Sequence, residues 1–147
     1  IIKAALELGV RVSQYLPNRF KINNPWDVYS YYMEELRYLK KEVFKVILLN
    51  TKNEIMIKNS TQDMFKYSPF EKSIVHPREV FREAIKRRSN AIILMHNHPS
   101  GNPDPSKEDI MITKRLNECG KILGINVLDH IVIGDGSYYS LKENNIF

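Results

Sequence analysis

The 147-residue sequence predicts an α/β domain: a mixed β-sheet with helices packed on both sides. Three observations predict it. Apolar runs at Val43–Leu49, Ala91–Met95 and Asn126–Ile133 read as buried strands. Apolar residues recur at helical spacing between them, after Asn24-Pro25, after His76-Pro77 and after Ser106. Turn signals at Asn50–Asn53 and Asp135-Gly136 add antiparallel hairpins, so the sheet is mixed.

Composition narrows the class. Hydrophobic content of 43% supports a real core. No apolar run approaches the ~18 residues of a membrane span, and no signal-peptide pattern is present, so no membrane partner is expected. The single Cys119 excludes an intrachain disulfide and fits a cytoplasmic location. A net charge of +5 admits nucleic acid. Its charges are scattered, however, and the densest cluster, Lys86-Arg87-Arg88, reads as a solvated helix end. Weak, non-specific DNA binding is therefore the expectation.

The elements follow in order. Residues 1–16 are helix-compatible and open in mid-pattern, which suggests the last helix of a preceding region. Residues 17–24 read as a polar linker, and 25–147 as the domain proper. Asn24 is an N-cap with Pro25 at the first helical position. Tyr29, Tyr32, Met33, Leu36 and Leu39 mark the inner face of the helix that follows, and Lys40-Lys41 closes it. Its tyrosines could stack bases, but core packing with some rings exposed is the better reading. Glu42 then opens the first strand. A second strand is expected over Glu54–Lys58, an irregular stretch over Thr61–Glu71 and a short strand at Lys72–Val75. A helix should run from His76 to about Arg88 with Val80, Phe81, Ala84 and Ile85 inward. Another should run from Ser106 to Leu123 with Ile112, Leu116, Cys119 and Leu123 on one stripe, stopped by Gly124. Leu141–Phe147 is a short tail.

Chemistry concentrates in Ala91–Asp109, AIILMHNHPSGNPDPSKED. Strand side chains alternate faces, so His96 and His98 point one way and Asn97 the other. Three prolines between Pro99 and Pro105 make a stiff loop. Ser106-x-x-Asp109 is close to a capping box, with Asp109 in a helical first turn. A loop that turns this helix start over the strand end would join Asp109 to the two histidines. Two histidines and one carboxylate suit zinc, with three protein ligands and one position left open for water, the catalytic pattern. His76 is a minor candidate for a fourth ligand. Asp129 is a candidate to orient a ligand histidine through its second ring nitrogen; a hydrogen bond to nearby backbone is the competing role.

The pattern His-x-His, seven residues, Ser, two residues, Asp resembles the JAMM motif of the JAB/MPN metalloproteases. The string HNHPSG, followed by Pro105-Ser106 and Asp109, resembles the RadC branch, as does His76-Pro77-Arg78-Glu79. The resemblance covers nearly the whole chain and implies a JAB/MPN, cytidine-deaminase-like architecture. It implies zinc on His96, His98 and Asp109. It places the general base on Glu42, before the first apolar strand, over its rivals Glu34 and Glu35. It gives the Ser106 hydroxyl the task of stabilising an oxyanion. It also makes residues 1–11 the end of a helix-hairpin-helix-like region. The implied reaction is hydrolysis of a peptide or isopeptide bond in a protein or peptide substrate. Tyr67-Ser68-Pro69 departs from the family's usual Gly-Thr in that segment, which bears on substrate admission. A DNA-associated binding module with a structural metal is the alternative, because the family carries a DNA-repair name. An inactive scaffold fits less well with an intact ligand set. A true zinc deaminase needs Pro-Cys-x-x-Cys, which one cysteine cannot supply, and the His-Glu-x-x-His signature of other zinc proteases is absent.

Overall fold

In a computed structural model, residues 4–5, 20–56 and 75–147 are described. Helix α1 spans Pro25–Leu36 and strand β1 Phe44–Leu49. Helix α2 (Pro77–Lys86) and strand β2 (Ala91–Asn97) come next. Helix α3 (Lys107–Leu123), strand β3 (Asn126–Ile133) and strand β4 (Tyr138–Ser140) complete the described elements. The sheet order is β1-β2-β3-β4. Strands β1 and β2 are antiparallel, from Phe44↔His96 to Leu49↔Ala91. Strands β2 and β3 are parallel, joined through α3, and β4 returns antiparallel on β3. The mixed sheet expected from the sequence is what forms.

Each face of the sheet carries its own core. On one, Val28, Tyr29, Tyr32 and Leu36 of α1 pack on Ile47, Leu49, Ile93, Met95, Ile131 and Ile133. On the other, Val80, Phe81 and Ala84 of α2 and Leu116 of α3 pack on Val46, Leu48, Ile92, Leu94 and Val127. Removing this apolar area from water is the main force holding helices to sheet, at about 25 cal/mol per Å². All seven residues of β2 are buried, which is why that strand reads as a continuous apolar run.

One irregularity decides which side chains reach which face. The β2–β3 register shifts between Ile92 and Ile93, so that Ile92 pairs with Val127 but Ile93 with Asp129. Leu128 is the extra residue. It packs with the α1-side core, while Val127 packs with the α2/α3-side core. Regular alternation would put His130 on the same face as Leu128; the bulge turns it to the opposite face, toward His96.

Several boundaries differ from the sequence reading. Helix α1 ends at Leu36, not at Lys40-Lys41. The chain turns there so that Leu39 packs back on the core and Arg37 reaches Asp135 on the β3–β4 hairpin at 2.8 Å. Strand β1 begins at Phe44, one residue late, because the Val43 N–H is taken by the Asn97 side chain. Of the strand expected over Glu54–Lys58, the described part forms only isolated bridges, Lys21↔Glu54 and Leu49↔Ile55. The expected irregular segment Thr61–Glu71, with Tyr67-Ser68-Pro69, and most of Lys72–Val75 lie outside the described residues. Helix α2 stops at Lys86 rather than Arg88, and Arg88 takes a positive φ of 54°.

Two inward assignments fail. Ile85 is 55% exposed and Glu83 is buried instead, receiving Lys86 and Arg87 at 3.9 and 3.4 Å. The α2 face that meets the sheet is centred on Val80, Phe81 and Ala84, and Ile85 lies one step of ~100° beyond it. On α3, Leu123 is exposed; the buried stripe is Asp109, Thr113, Leu116 and Gly120, with Ile112 and Cys119 half-buried beside it. The stripe runs through Asp109 because that carboxylate is enclosed at the helix start by His96 and His98. Gly124 ends α3 in the left-handed conformation, as expected, at φ 71°.

Candidate metal centre

The centre lies where the end of β2, the chain before β1 and the start of α3 meet. His96, the penultimate residue of β2, is 1% exposed. His98 follows the strand, and its backbone N–H donates to the Ile133 carbonyl. The Nε2 atoms of the two rings stand 3.0 Å apart. Asp109 Oδ1 is 3.4 Å from His96 Nε2, and Asp109 Oδ2 is 3.5 Å from His98 Nε2. Glu42 Oε1 lies farther out, 3.9 Å from His96 Nε2. One ligand atom from each of Glu42, His96, His98 and Asp109 falls within 4.8 Å of the others.

Each side chain is held by identifiable local structure. Asp109 is part of the capping box of α3. Ser106 N–H and Ser106 Oγ both donate to its Oδ2 at 2.7 Å, and Ser106 Oγ accepts the Asp109 N–H at 3.2 Å. Oδ2 is thus occupied by Ser106, and Oδ1 is the oxygen turned to His96. His98 is oriented by its loop: its Nδ1 lies 2.8 Å from the Asn102 carbonyl. A carbonyl only accepts, so His98 donates from Nδ1, and in the neutral ring Nε2 is the nitrogen left without a hydrogen. The loop is in turn pinned to the β3–β4 hairpin, where Asp135 N–H donates to the Gly101 carbonyl. A side chain at Gly134 would meet that carbonyl at 2.3 Å, so only glycine permits the approach.

Asn97 faces away from the histidines, as alternation requires, and its amide brackets Glu42. Asn97 Oδ1 accepts the Val43 N–H at 2.7 Å, and Asn97 Nδ2 donates to the Lys41 carbonyl at 3.1 Å. The residue between the two histidines therefore fixes the backbone on both sides of Glu42. The rival Glu35 is engaged elsewhere, accepting from the fully buried Lys45.

Two buried groups complete the surroundings. His130 Nε2 lies 2.8 Å from His96 Nδ1, and His130 Nδ1 lies 2.5 Å from Thr113 Oγ1. Burial, with the neighbouring His96 and His98, pushes the His130 ring well below its ordinary pKa of 6.5, so it is neutral. Burial alone would raise the Asp109 carboxyl. Hydrogen bonding and charge attraction from His96 when its ring is protonated, helped by Ser106, more than reverse this and hold it well below the usual carboxylate range.

The donor set fits a zinc-class ion. Two ligands about 2.0–2.1 Å from a tetrahedral ion stand about 3.3 Å apart. The separations among His96, His98 and Asp109 bracket that value. Glu42 Oε1, 3.9 Å from His96 Nε2, stands outside that spacing.

The structure thus brings together Glu42, His96, His98 and Asp109, with Ser106 one hydrogen bond behind Asp109. His76 stands at the start of α2 and is not in the cluster. Asp129 does not orient a ligand ring: it accepts from His130 N–H, Ser140 Oγ and Lys142 N–H. Its ring-contacting neighbour is the residue that sequence reasoning missed, and no local pattern could have found it, because the register shift in β3 places it. Lys86 and Arg87 of the basic cluster turn back onto buried Glu83. No helix among the described residues is long and apolar enough to cross a membrane.

A family profile described as the RadC-like JAB domain matches residues 22–146. A UPF0758 protein of Clostridioides difficile (strain 630) is 60% identical over 145 residues, which cover 99% of this chain and 60% of that protein. A UPF0758 protein of Alkaliphilus metalliredigens (strain QYMF) is 58% identical over 147 residues, covering 99% of this chain and 61% of its own length. One of Moorella thermoacetica (strain ATCC 39073 / JCM 9320) is 51% identical over 145 residues, covering 99% and 62%. The chain therefore spans about three fifths of the length of the curated relatives it matches.

Proposed function

The chain belongs to the RadC-like JAB domain family, and from that premise we propose that it is a zinc-dependent hydrolase of peptide or isopeptide bonds. The JAB family includes metalloisopeptidases, and its members often bind zinc. The single observation that carries the proposal is the spacing in the cluster: two histidine Nε2 atoms 3.0 Å apart, each 3.4–3.5 Å from one of the two oxygens of Asp109, and a second carboxylate at 3.9 Å.

His96, His98 and Asp109 would hold the ion. Bound zinc would supply Lewis acidity and bring the pKa of a water to about 7. Glu42, less buried than His96 and Asp109, would accept that water's proton on its carboxylate and deliver it to the leaving nitrogen. Ser106 has one hydroxyl hydrogen, which points to Asp109 Oδ2. Stabilising a substrate oxyanion requires that hydrogen to swing outward. Asp109 would stay in place meanwhile, because the Ser106 backbone N–H still donates to it. Capping and oxyanion stabilisation are then successive tasks of one hydroxyl. The scissile bond would lie across the Pro99–Pro105 loop, which favours an extended tail as substrate.

The test is a diverse peptide and isopeptide library incubated with zinc-loaded wild type, with Glu42→Gln and with chelated protein. Cleavage of a narrow subset by the wild type alone is expected. No cleavage despite stoichiometric zinc, or cleavage that survives in the other two samples, would reject the proposal.

A further inference from the structure

We infer that Thr113 and His130 form a hydrogen-bond relay that sets the tautomer of His96 and presents its unprotonated Nε2 to the metal centre. This assignment rests on the metal-binding reading above for its consequence, but its geometry can be tested without metal.

The argument starts at the Asp109 backbone. Thr113 Oγ1 lies 2.5 Å from the Asp109 carbonyl oxygen. That oxygen has no hydrogen, so the Thr113 hydroxyl donates to it; serine and threonine inside helices commonly donate one turn back. The hydroxyl has no second hydrogen. Its contact with His130 Nδ1 must then be donated by the ring, as Nδ1–H to Oγ1. A neutral imidazole carries one N–H, so His130 Nε2 is an acceptor. The atom facing it is His96 Nδ1, at 2.8 Å. His96 therefore carries a hydrogen on Nδ1, and in the neutral ring its Nε2 is a lone pair.

Starting the chain the other way fails at the threonine. If Thr113 donated to His130, two oxygens would face each other at 2.5 Å with no hydrogen between them. The hydrogen of His96 would then lie on Nε2, 3.0 Å from His98 Nε2, where it would occupy the lone pair that a metal ion needs. Every member of the relay is buried: Thr113, His130 and His96 are at most 1% exposed, so water cannot substitute for a missing partner.

The relay has a structural consequence. It begins on the backbone of Asp109 and ends on His96, so it couples two of the three candidate ligands through residues 113 and 130. His98 receives the same instruction from a different source, the Asn102 carbonyl. Partners of this kind typically change metal affinity about 10–100-fold when removed. Thr113 and His130 are positioning residues: neither is in the four-residue ligand cluster.

The experiment has two arms on the intact chain. Long-range nitrogen–proton NMR of the imidazoles in metal-free wild type reads the tautomers directly, with no variant needed. His96 and His130 should both show Nδ1–H, and Thr113→Val should turn His96 into a mixture. A wild-type His96 with its hydrogen on Nε2 overturns the relay. The second arm measures zinc affinity against a chromophoric chelator. Thr113→Val and His130→Phe should bind about 10–100-fold more weakly, while His130→Gln, which can restore an acceptor near the Nε2 position, should recover part of the loss. Thermal unfolding of the metal-free variants shows whether the fold is kept. Folded variants with affinities within twofold of wild type overturn the relay. A wild type that binds no zinc but shows the stated tautomers would sink the metal reading and leave the relay standing.

Discussion

Helices α1 and α3 begin with the same device, and only one of the two beginnings lies in the candidate metal centre. Asn24 accepts the Asp27 N–H, and the Asp27 carboxylate takes the Asn24 N–H at 3.2 Å. Ser106 and Asp109 make the same reciprocal pair. Both aspartates sit at the third helical position, where the helix dipole favours a negative charge. Around Asp27 the bonds are exposed, and Asp27 is not in the metal-ligand cluster found among the described residues. Asp109 is 5% exposed and faces His96 and His98. The lesson is that a capping box holds a carboxylate rigidly at no extra cost. Whether that rigidity serves only the helix or also chemistry depends on what the fold places opposite it.

Four predictions would break or sharpen this comparison, beginning with the largest effect. Asp109→Asn should abolish stoichiometric zinc binding, whereas Asp27→Asn should leave it unchanged; elemental analysis after gel filtration decides. Equal metal in both proteins would mean that the second box is no more than a cap. Next, Glu42→Gln should keep its zinc and lose about 10²–10⁴-fold in any hydrolysis, the usual contribution of a general base. Loss of metal with activity would make Glu42 a ligand and overturn the division of labour drawn from the 3.9 Å spacing.

The third prediction concerns acid. His130 is held well below 6.5 in the fold, mainly by burial, and regains its ordinary value on unfolding. The unfolded chain then binds the extra proton, so the metal-free protein loses stability as pH falls below about 6.5. One such proton changes the slope by ~1.4 kcal/mol per pH unit. Asp109, whose carboxyl is lowered, adds a loss of the same sign only below about 3.8. Asp129 is raised by burial and acts oppositely: the fold takes up its proton first and gains relative stability as pH falls toward 3.8. Urea unfolding of metal-free wild type and His130→Gln at pH 7 and pH 5 checks the sign. A wild type as stable at pH 5 as at pH 7, relative to the variant, would contradict it.

The smallest effect is on the caps themselves. Asn24→Ala and Ser106→Ala should each cost about 0.5–2 kcal/mol of stability in the metal-free protein, typically ~1. Chemical denaturation measures both. Ser106→Ala should additionally weaken hydrolysis, and Asn24→Ala should not. If both variants lose stability and neither loses activity, Ser106 is a cap and nothing more.

The sequence by itself determined most of the elements and the candidate ligands. Asn24-Pro25, Ser106-x-x-Asp109, Gly124 and Asp135-Gly136 set their local conformations through nearby atoms. Such signals survive whatever the rest of the chain does. The His96–His98 pair was legible for the same reason: alternation along a strand follows from backbone geometry alone. Only the tertiary structure decided what stands behind those ligands. Asn97 reaches Val43 across 54 positions and His130 reaches His96 across 34. The face His130 takes follows from one extra residue in β3, a register choice fixed by packing both cores at once. The burial of Glu83 in place of Ile85, and of Lys45 inside an apolar strand, belongs to the same class. Periodicity predicts which residues share a face, but a polar group's burial depends on whether a distant partner arrives to satisfy it. That partner is supplied only when the whole sheet has closed.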